Sequence, residues 1–276
     1  MYIFKRNIKV FSLFKIENFN DKLIIPFFIL FSFIYICCTS KIENNKVVAT
    51  KIIKDSIVKH KYFSKNDFII RLSKYSDTCF LNRFNSEIVK FEKADSMSFP
   101  PKNAILFIGS SSIRKWKTLK DDMYPLSVLN RGFGGSTIAE CVWFFHRIVK
   151  PYNPSKIVFY AGENDLTEPN RTPNDIFECF KIFAEMSKCE LPETKIYFIS
   201  IKHSPSRIKI DSKIDETNDL VKYYAKTNNI EFVDIRDVMK LKNGKLNASL
   251  FLKDKLHLNK YGYNLWTKTI KTALLK

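Results

Sequence analysis

The sequence predicts an α/β fold with a parallel sheet and helices on both faces. Three observations lead there. Five short runs of β-branched and aromatic residues recur from residue 104 onward. Stretches of helical character separate them. Glycine is scarce, at 7 in 276 residues, yet Gly109, Gly132 and Gly162 each follow one of the first three runs. Strands that alternate with helices argue for a parallel sheet covered on both sides.

The runs come in this order. Ala104–Ile108 ends at Gly109. Ser127–Asn130 ends before Gly132. Lys156–Ala161 ends at Gly162. Thr194–Ile201 and Ile230–Ile235 complete the set. Helices are predicted over roughly 111–119, 136–149, 173–189 and 211–228, with a last one at about 259–275. In such folds ligands bind beyond the carboxyl ends of the strands, so the residues after the first three strands should share one crevice.

The first 40 residues differ from the rest. Lys5, Arg6, Lys9, Lys15 and Lys22 precede an apolar run from Leu23 to Cys38. A basic region followed by about fifteen apolar residues is an export-signal pattern, and it is short for a membrane span of roughly 20 residues. The run ends in Cys37-Cys38-Thr39-Ser40 and turns polar at once, similar to a bacterial lipoprotein signal with Cys38 as the lipidated residue. An uncleaved anchor and a plain secretory signal are the alternatives. Either way the expectation is an exported protein, tethered to a membrane through this segment or secreted. Residues 41–84 read as a polar linker with room for one helix, and residues 85–276 as the folded domain.

The formal charge of +18 raises nucleic acid as a partner. The excess is dispersed and mostly lysine, with no basic stripe interleaved with aromatics, so a solvated surface is the better reading. The six cysteines form no CxxC pair and no Cys/His cluster with zinc spacing, so no metal is called for. Cys141 and Cys179 sit in apolar surroundings and read as buried thiols. A disulfide among Cys79, Cys141, Cys179 and Cys189 stays open.

Three segments follow the first three strands: Gly109-Ser-Ser-Ser-Ile-Arg114, Arg131-Gly-Phe-Gly-Gly-Ser136 and Gly162-Glu-Asn-Asp-Leu166. A fourth, Asp254-Lys-Leu-His-Leu-Asn-Lys-Tyr-Gly-Tyr263, lies near the C-terminus. Each alone is weak, but their order and placement make the set specific. A serine that opens a helix just past a strand has its N–H free, and the helix terminus favours negative charge there. Any of Ser110, Ser111 and Ser112 could instead cap that helix. Of the four histidines, His257 has an acid three residues earlier, and Asp254 at about one helical turn could orient its ring. His146 lies among Phe144, Phe145 and Ile148 and reads as a packed histidine. His60, between two lysines, reads as solvated.

These four blocks resemble those of the SGNH hydrolases, also called the GDSL esterase/lipase family, over roughly residues 85–276. The resemblance implies a flavodoxin-like three-layer α/β/α sandwich with a five-stranded sheet. It implies Ser111 as nucleophile, with Asp254 and His257 as its base, and an oxyanion hole from the Ser111 N–H, Gly135 and Asn164. The first block reads Gly-Ser-Ser-Ser rather than Gly-Asp-Ser-Leu, and Gly134 competes with Gly135 for the second position. The implied activity needs no cofactor. It is hydrolysis of small acyl esters, such as O-acetyl groups, on small molecules or acylated glycans. Lys202, His203 and Arg207, after the fourth strand, are candidate substrate contacts. A catalytically silent glycan-binding module and an acyltransferase on surface glycans are the alternatives. A nucleotide site at Gly132–Ser136 lacks both the P-loop lysine and the GxGxxG spacing.

Overall fold

The computed structural model describes residues 64–75 and 82–276, which fall within one unit, Phe63–Lys276. The segment 1–40 with Cys38, the stretch 41–63 with His60, and Cys79 lie outside the described residues. Five strands form a wholly parallel sheet: β1 (Ile105–Gly109), β2 (Val128–Gly132), β3 (Lys156–Tyr160), β4 (Lys195–Ile199) and β5 (Ile230–Val233). Their spatial order is β2-β1-β3-β4-β5. The order reverses between β1 and β3, which opens a crevice at their carboxyl ends. Gly109 is level with Gly132 on one side and Tyr160 on the other. The segments after β1, β2 and β3 therefore leave the sheet together.

Side chains alternate across the strands, and both faces are apolar. Leu106, Ile108, Ile157, Phe159 and Phe198 face one core, built with α1 (Lys65–Leu72), α2 (Asn85–Met97), α5 (Ile138–Trp143), α6 (Phe145–Ile148), α7 (Pro173–Glu190) and α8 (Asp211–Ala225). Ile105, Phe107, Val158, Tyr160 and Ile199 face the other, built with α3 (Ser111–Arg114), α4 (Leu119–Met123) and α9 (Lys260–Leu274). This is the three-layer α/β/α sandwich that the strand–helix alternation predicts. Helix starts follow local chemistry. Thr172 and Asp175 form a capping box ahead of Pro173, and Thr137 and Glu140 form another at α5.

Several elements differ from expectation. The helix expected over 136–149 breaks at Phe144. Phe144 takes φ −89° and ψ 4° at the break, and Phe144 and Phe145 are both buried. The break lets Phe144 meet Phe133 at 5.9 Å and Phe145 meet Phe183 at 5.6 Å between ring centroids. The helix expected over 111–119 shortens to α3, with α4 following as a separate turn. Within the stretch expected as linker, α1 is capped by Ser64 and buries Phe68 and Leu72 completely, and Arg71 pairs with Glu185 of α7. Cys141 and Cys179 are buried free thiols, and Cys189 is free and exposed.

Candidate active site

At the end of β1, Gly109 takes φ +136°, and a Cβ there would lie 1.8 Å from the Tyr160 carbonyl oxygen. Only glycine allows this approach. The Ser110 N–H donates to that same oxygen at 2.9 Å, and the chain turns at once into α3. Ser111 is its first residue, where a backbone N–H has no intrahelical acceptor. Of the three serines, Ser110 and Ser112 are buried, each 2% exposed. Ser111 is half-buried and has its Oγ 2.9 Å from His257 Nε2.

His257 arrives from the loop before α9. An antiparallel bridge between Phe251 and Leu258 closes this loop, and Asn259 caps α9 by accepting from the Tyr261 and Gly262 N–H groups. Asp254 Oδ1 accepts from the Leu256 and His257 N–H groups at 3.0 Å each, and its Oδ2 lies 2.6 Å from His257 Nδ1. The i,i+3 pairing arises from this turn, with Lys255 at φ +55°, and not from the helical turn its spacing suggests. The bond from His257 is the largest effect holding the Asp254 carboxyl well below the usual carboxylate range; burial opposes it, and the backbone donors and the His257 charge add to the lowering. With Nδ1–H donating to Asp254, Nε2 is free to accept from Ser111. This tautomer is assigned from the network. Lys115, one helical turn after Ser111, brings its ammonium to 3.2 Å from Nδ1. Nδ1 already carries a proton in this tautomer, so Lys115 adds charge beside the pair rather than a hydrogen bond.

Asn164 follows β3 and donates from Nδ2 to the Ser136 carbonyl at 3.0 Å. That bond ties the third block to the glycine turn of the second, where Gly135 has φ +80° and its carbonyl accepts from Arg83 at 3.3 Å. Gly134 lies against Arg114, whose guanidinium would meet a Cβ at 2.5 Å. Below Asn164 is a buried polar cluster that sequence reading missed. Glu163 pairs with Lys202 at 2.5 Å and accepts from Ser204 at 2.9 Å and from the Tyr160 hydroxyl at 3.0 Å. Burial pushes Glu163 upward, but the Lys202 ammonium, Arg207 and Ser204 outweigh it and leave the carboxyl below its ordinary value. Its adjacency to Asn164 was the available signal.

The candidate substrate contacts separate. Lys202 is 1% exposed and committed to Glu163, so the expectation that it meets substrate is corrected. His203 is bonded to Asp215 at 3.0 Å and lines a distinct cavity of about 750 Å³ with Asp211, Arg236 and Met239. Ser111 and His257 do not line that cavity. Arg207 reaches the segment after β3. It donates to the Glu163 carbonyl at 2.6 Å and to Asn164 Oδ1 at 2.9 Å. His146 is half-buried against Glu190 at 3.3 Å, away from these groups. Among the described residues no cluster of His, Cys, Asp and Glu is arranged to hold a metal ion.

Residues 108–265 match the model of the GDSL-like lipase/acylhydrolase family. That span is more than half of the chain. The chain belongs to this family. As a member it is an ester hydrolase. Solved structures agree in fold. A GDSL-like lipase from Bacteroides thetaiotaomicron is 25% identical, covers 68% of this chain and 97% of its own, with a TM-score of 0.59. An acetylxylan esterase from Geobacillus stearothermophilus is 14% identical over 62% of this chain and 93% of its own, with a TM-score of 0.53. Among curated proteins no sequence matches this acylhydrolase significantly.

Proposed function

We propose that this acylhydrolase removes small acyl groups, O-acetyl foremost, from hydroxylated substrates such as acylated carbohydrates, through an acyl-enzyme on Ser111. One observation carries the reading: an unbroken hydrogen-bonded chain from Ser111 Oγ through His257 to Asp254, at the sheet's switch point. Ser111 Oγ attacks the ester carbonyl carbon while its proton passes to His257 Nε2. Asp254 holds the ring and the imidazolium that forms. The Ser111 N–H, the Gly135 N–H and the second hydrogen of Asn164 Nδ2 receive the oxyanion. Collapse expels the alkoxide, which takes the proton from His257. Water then repeats the sequence, releases the carboxylic acid and restores Ser111.

Hydrolysis of p-nitrophenyl acetate tests the reading, with Ser111→Ala as control and mass spectrometry after a fluorophosphonate probe. The expected result is labelling at Ser111 and loss of at least about 10³-fold in rate in the variant. Equal rates with Ser111→Ala would leave a silent binding module. Acyl transfer to an added sugar in preference to water would favour the acyltransferase.

The basic-then-apolar segment ending at Cys38 supports an exported, membrane-tethered enzyme. Fractionated bacteria expressing the full chain should hold the activity in the membrane. Cys38→Ser should release it if a lipid on that residue is the anchor. Retention of the variant in the membrane would point to the uncleaved apolar segment instead.

A further inference from the structure

The short 3₁₀ segment Pro205–Ile210 touches both halves of the site. Its Ser206 N–H donates to the Lys255 carbonyl at 3.1 Å, inside the loop that carries Asp254 and His257. Ser204, just before it, bonds Glu163. Arg207 breaks the helical backbone, with φ −124° and ψ 24°, and its guanidinium reaches the third block as a fork. One nitrogen donates to the Glu163 carbonyl and another to Asn164 Oδ1, at 2.6 and 2.9 Å. Asn164 is thereby held at both ends of its amide, since Nδ2 donates to the Ser136 carbonyl at 3.0 Å.

Chemistry fixes what is left over. A primary amide has two N–H donors and one acceptor oxygen. Arg207 donates only, so it must face the oxygen, and this determines the rotation of the amide. One N–H goes to Ser136, and one remains for an oxyanion. A cationic donor on the oxygen also draws electron density from the nitrogen and strengthens the remaining N–H as a donor. The buried Glu163 carboxylate beneath is ion-paired with Lys202 and attracts the Arg207 guanidinium through space, without bonding it.

We propose that Arg207 is a positioning residue that orients and polarises the Asn164 amide as an oxyanion donor, rather than a contact for substrate. The proposal rests on the function proposed above. It makes a remote loop, at sequence separation 43 from Asn164, part of the machinery that stabilises the transition state. A lysine would fill the role poorly, because a single ammonium cannot span the carbonyl and the amide in one planar fork.

The test is a double-mutant cycle on p-nitrophenyl acetate with Arg207→Ala, Asn164→Ala and the pair. Arg207→Ala should lower kcat about 10- to 100-fold with KM changed less than about two-fold, and Asn164→Ala about 10²- to 10³-fold. The double variant should be no slower than Asn164→Ala alone, because Arg207 acts through that amide. Arg207→Lys should recover only part of the loss. Additive losses, or a raised KM at unchanged kcat, would overturn the proposal. A second readout is independent of turnover: the ¹H–¹⁵N pair of the Asn164 side chain, assigned by its disappearance in Asn164→Asp. That pair should move in Arg207→Ala and Arg207→Lys, and an unmoved pair sinks the idea even if the wild-type protein cleaves no ester. Absence of wild-type hydrolysis with a shifted pair would instead count against the esterase reading alone.

Discussion

Asp165 directly follows Asn164 and has a separate task. It is 3% exposed, and its Oδ1 accepts from the Ile138 N–H at 2.9 Å, at the start of α5. It therefore fastens the third block to the helix that follows the glycine turn. Burial raises its pKa to about 7, against the opposing pull of the Ile138 N–H, with Glu168 and Glu140 adding repulsion. In the unfolded chain an aspartate titrates near 3.9. The folded state thus binds this proton more tightly, so the contribution of Asp165 to stability is fully present below about pH 4 and is lost as pH rises through about 7. At about 1.4 kcal/mol per pKa unit the full loss is on the order of 4 kcal/mol. Asp165→Asn keeps the acceptor for Ile138 and never charges. Its Tm should gain on the wild type progressively between pH 5 and pH 8 and level off above. A Tm difference that does not vary with pH would contradict a neutral Asp165. Nothing in the sequence marked this residue, because the four-letter segment Gly-Glu-Asn-Asp does not reveal which of its acids is ion-paired and which is isolated.

At the scale of elements, much was legible. All five strands stand where the apolar runs place them, because residues buried on both faces leave a continuous signal. The long helices α7, α8 and α9 stand within a few residues of expectation, since each has a clear apolar stripe and a punctuated end. Short elements were less legible. α3 is one turn long, and what fixes it is the fit of Gly109 under the Tyr160 carbonyl, a contact between strands 51 residues apart in sequence. Helix α1 was expected only as room for one helix within residues 41–84, and its bounds and burial were hidden for another reason. Its apolar residues are few among Lys, Asn and Arg, and their burial depends on the groove that α7 and α5 supply. The Asp254–His257 spacing was read correctly as a pair and incorrectly as a helix, because an aspartate that bonds the backbone two and three residues ahead mimics a helical turn. The place of Glu163 beside Asn164 was visible in the sequence, but its pairing with Lys202 was not, since the two come from the ends of β3 and β4 and only the sheet brings them together.

For the whole molecule, one sheet separates two cores that share no side chains. Leu72 of α1 is buried in the core on one face and Leu274 of α9 in the core on the other. A strand residue such as Phe107 faces one side while its neighbours Leu106 and Ile108 face the other, so neither core survives loss of the strands between them. Unfolding should therefore be one cooperative event. Leu72→Ala and Leu274→Ala each remove a buried side chain and should cost about 2–5 kcal/mol. For a unit of this size each should lower Tm by about 4–20 °C. With no shared contacts, the costs should add to within about 0.5 kcal/mol in the double variant. Far-UV circular dichroism follows both layers of helices, while Trp116 and Trp266 report on the α9 face and Trp143 on the other. The three variants should each give coincident transitions by both methods. If Leu72→Ala melts the α1 layer at a lower temperature while the α9 signals stay at the wild-type Tm, the two faces are separate folding units, and α1 is an accessory to the acylhydrolase domain rather than part of its core.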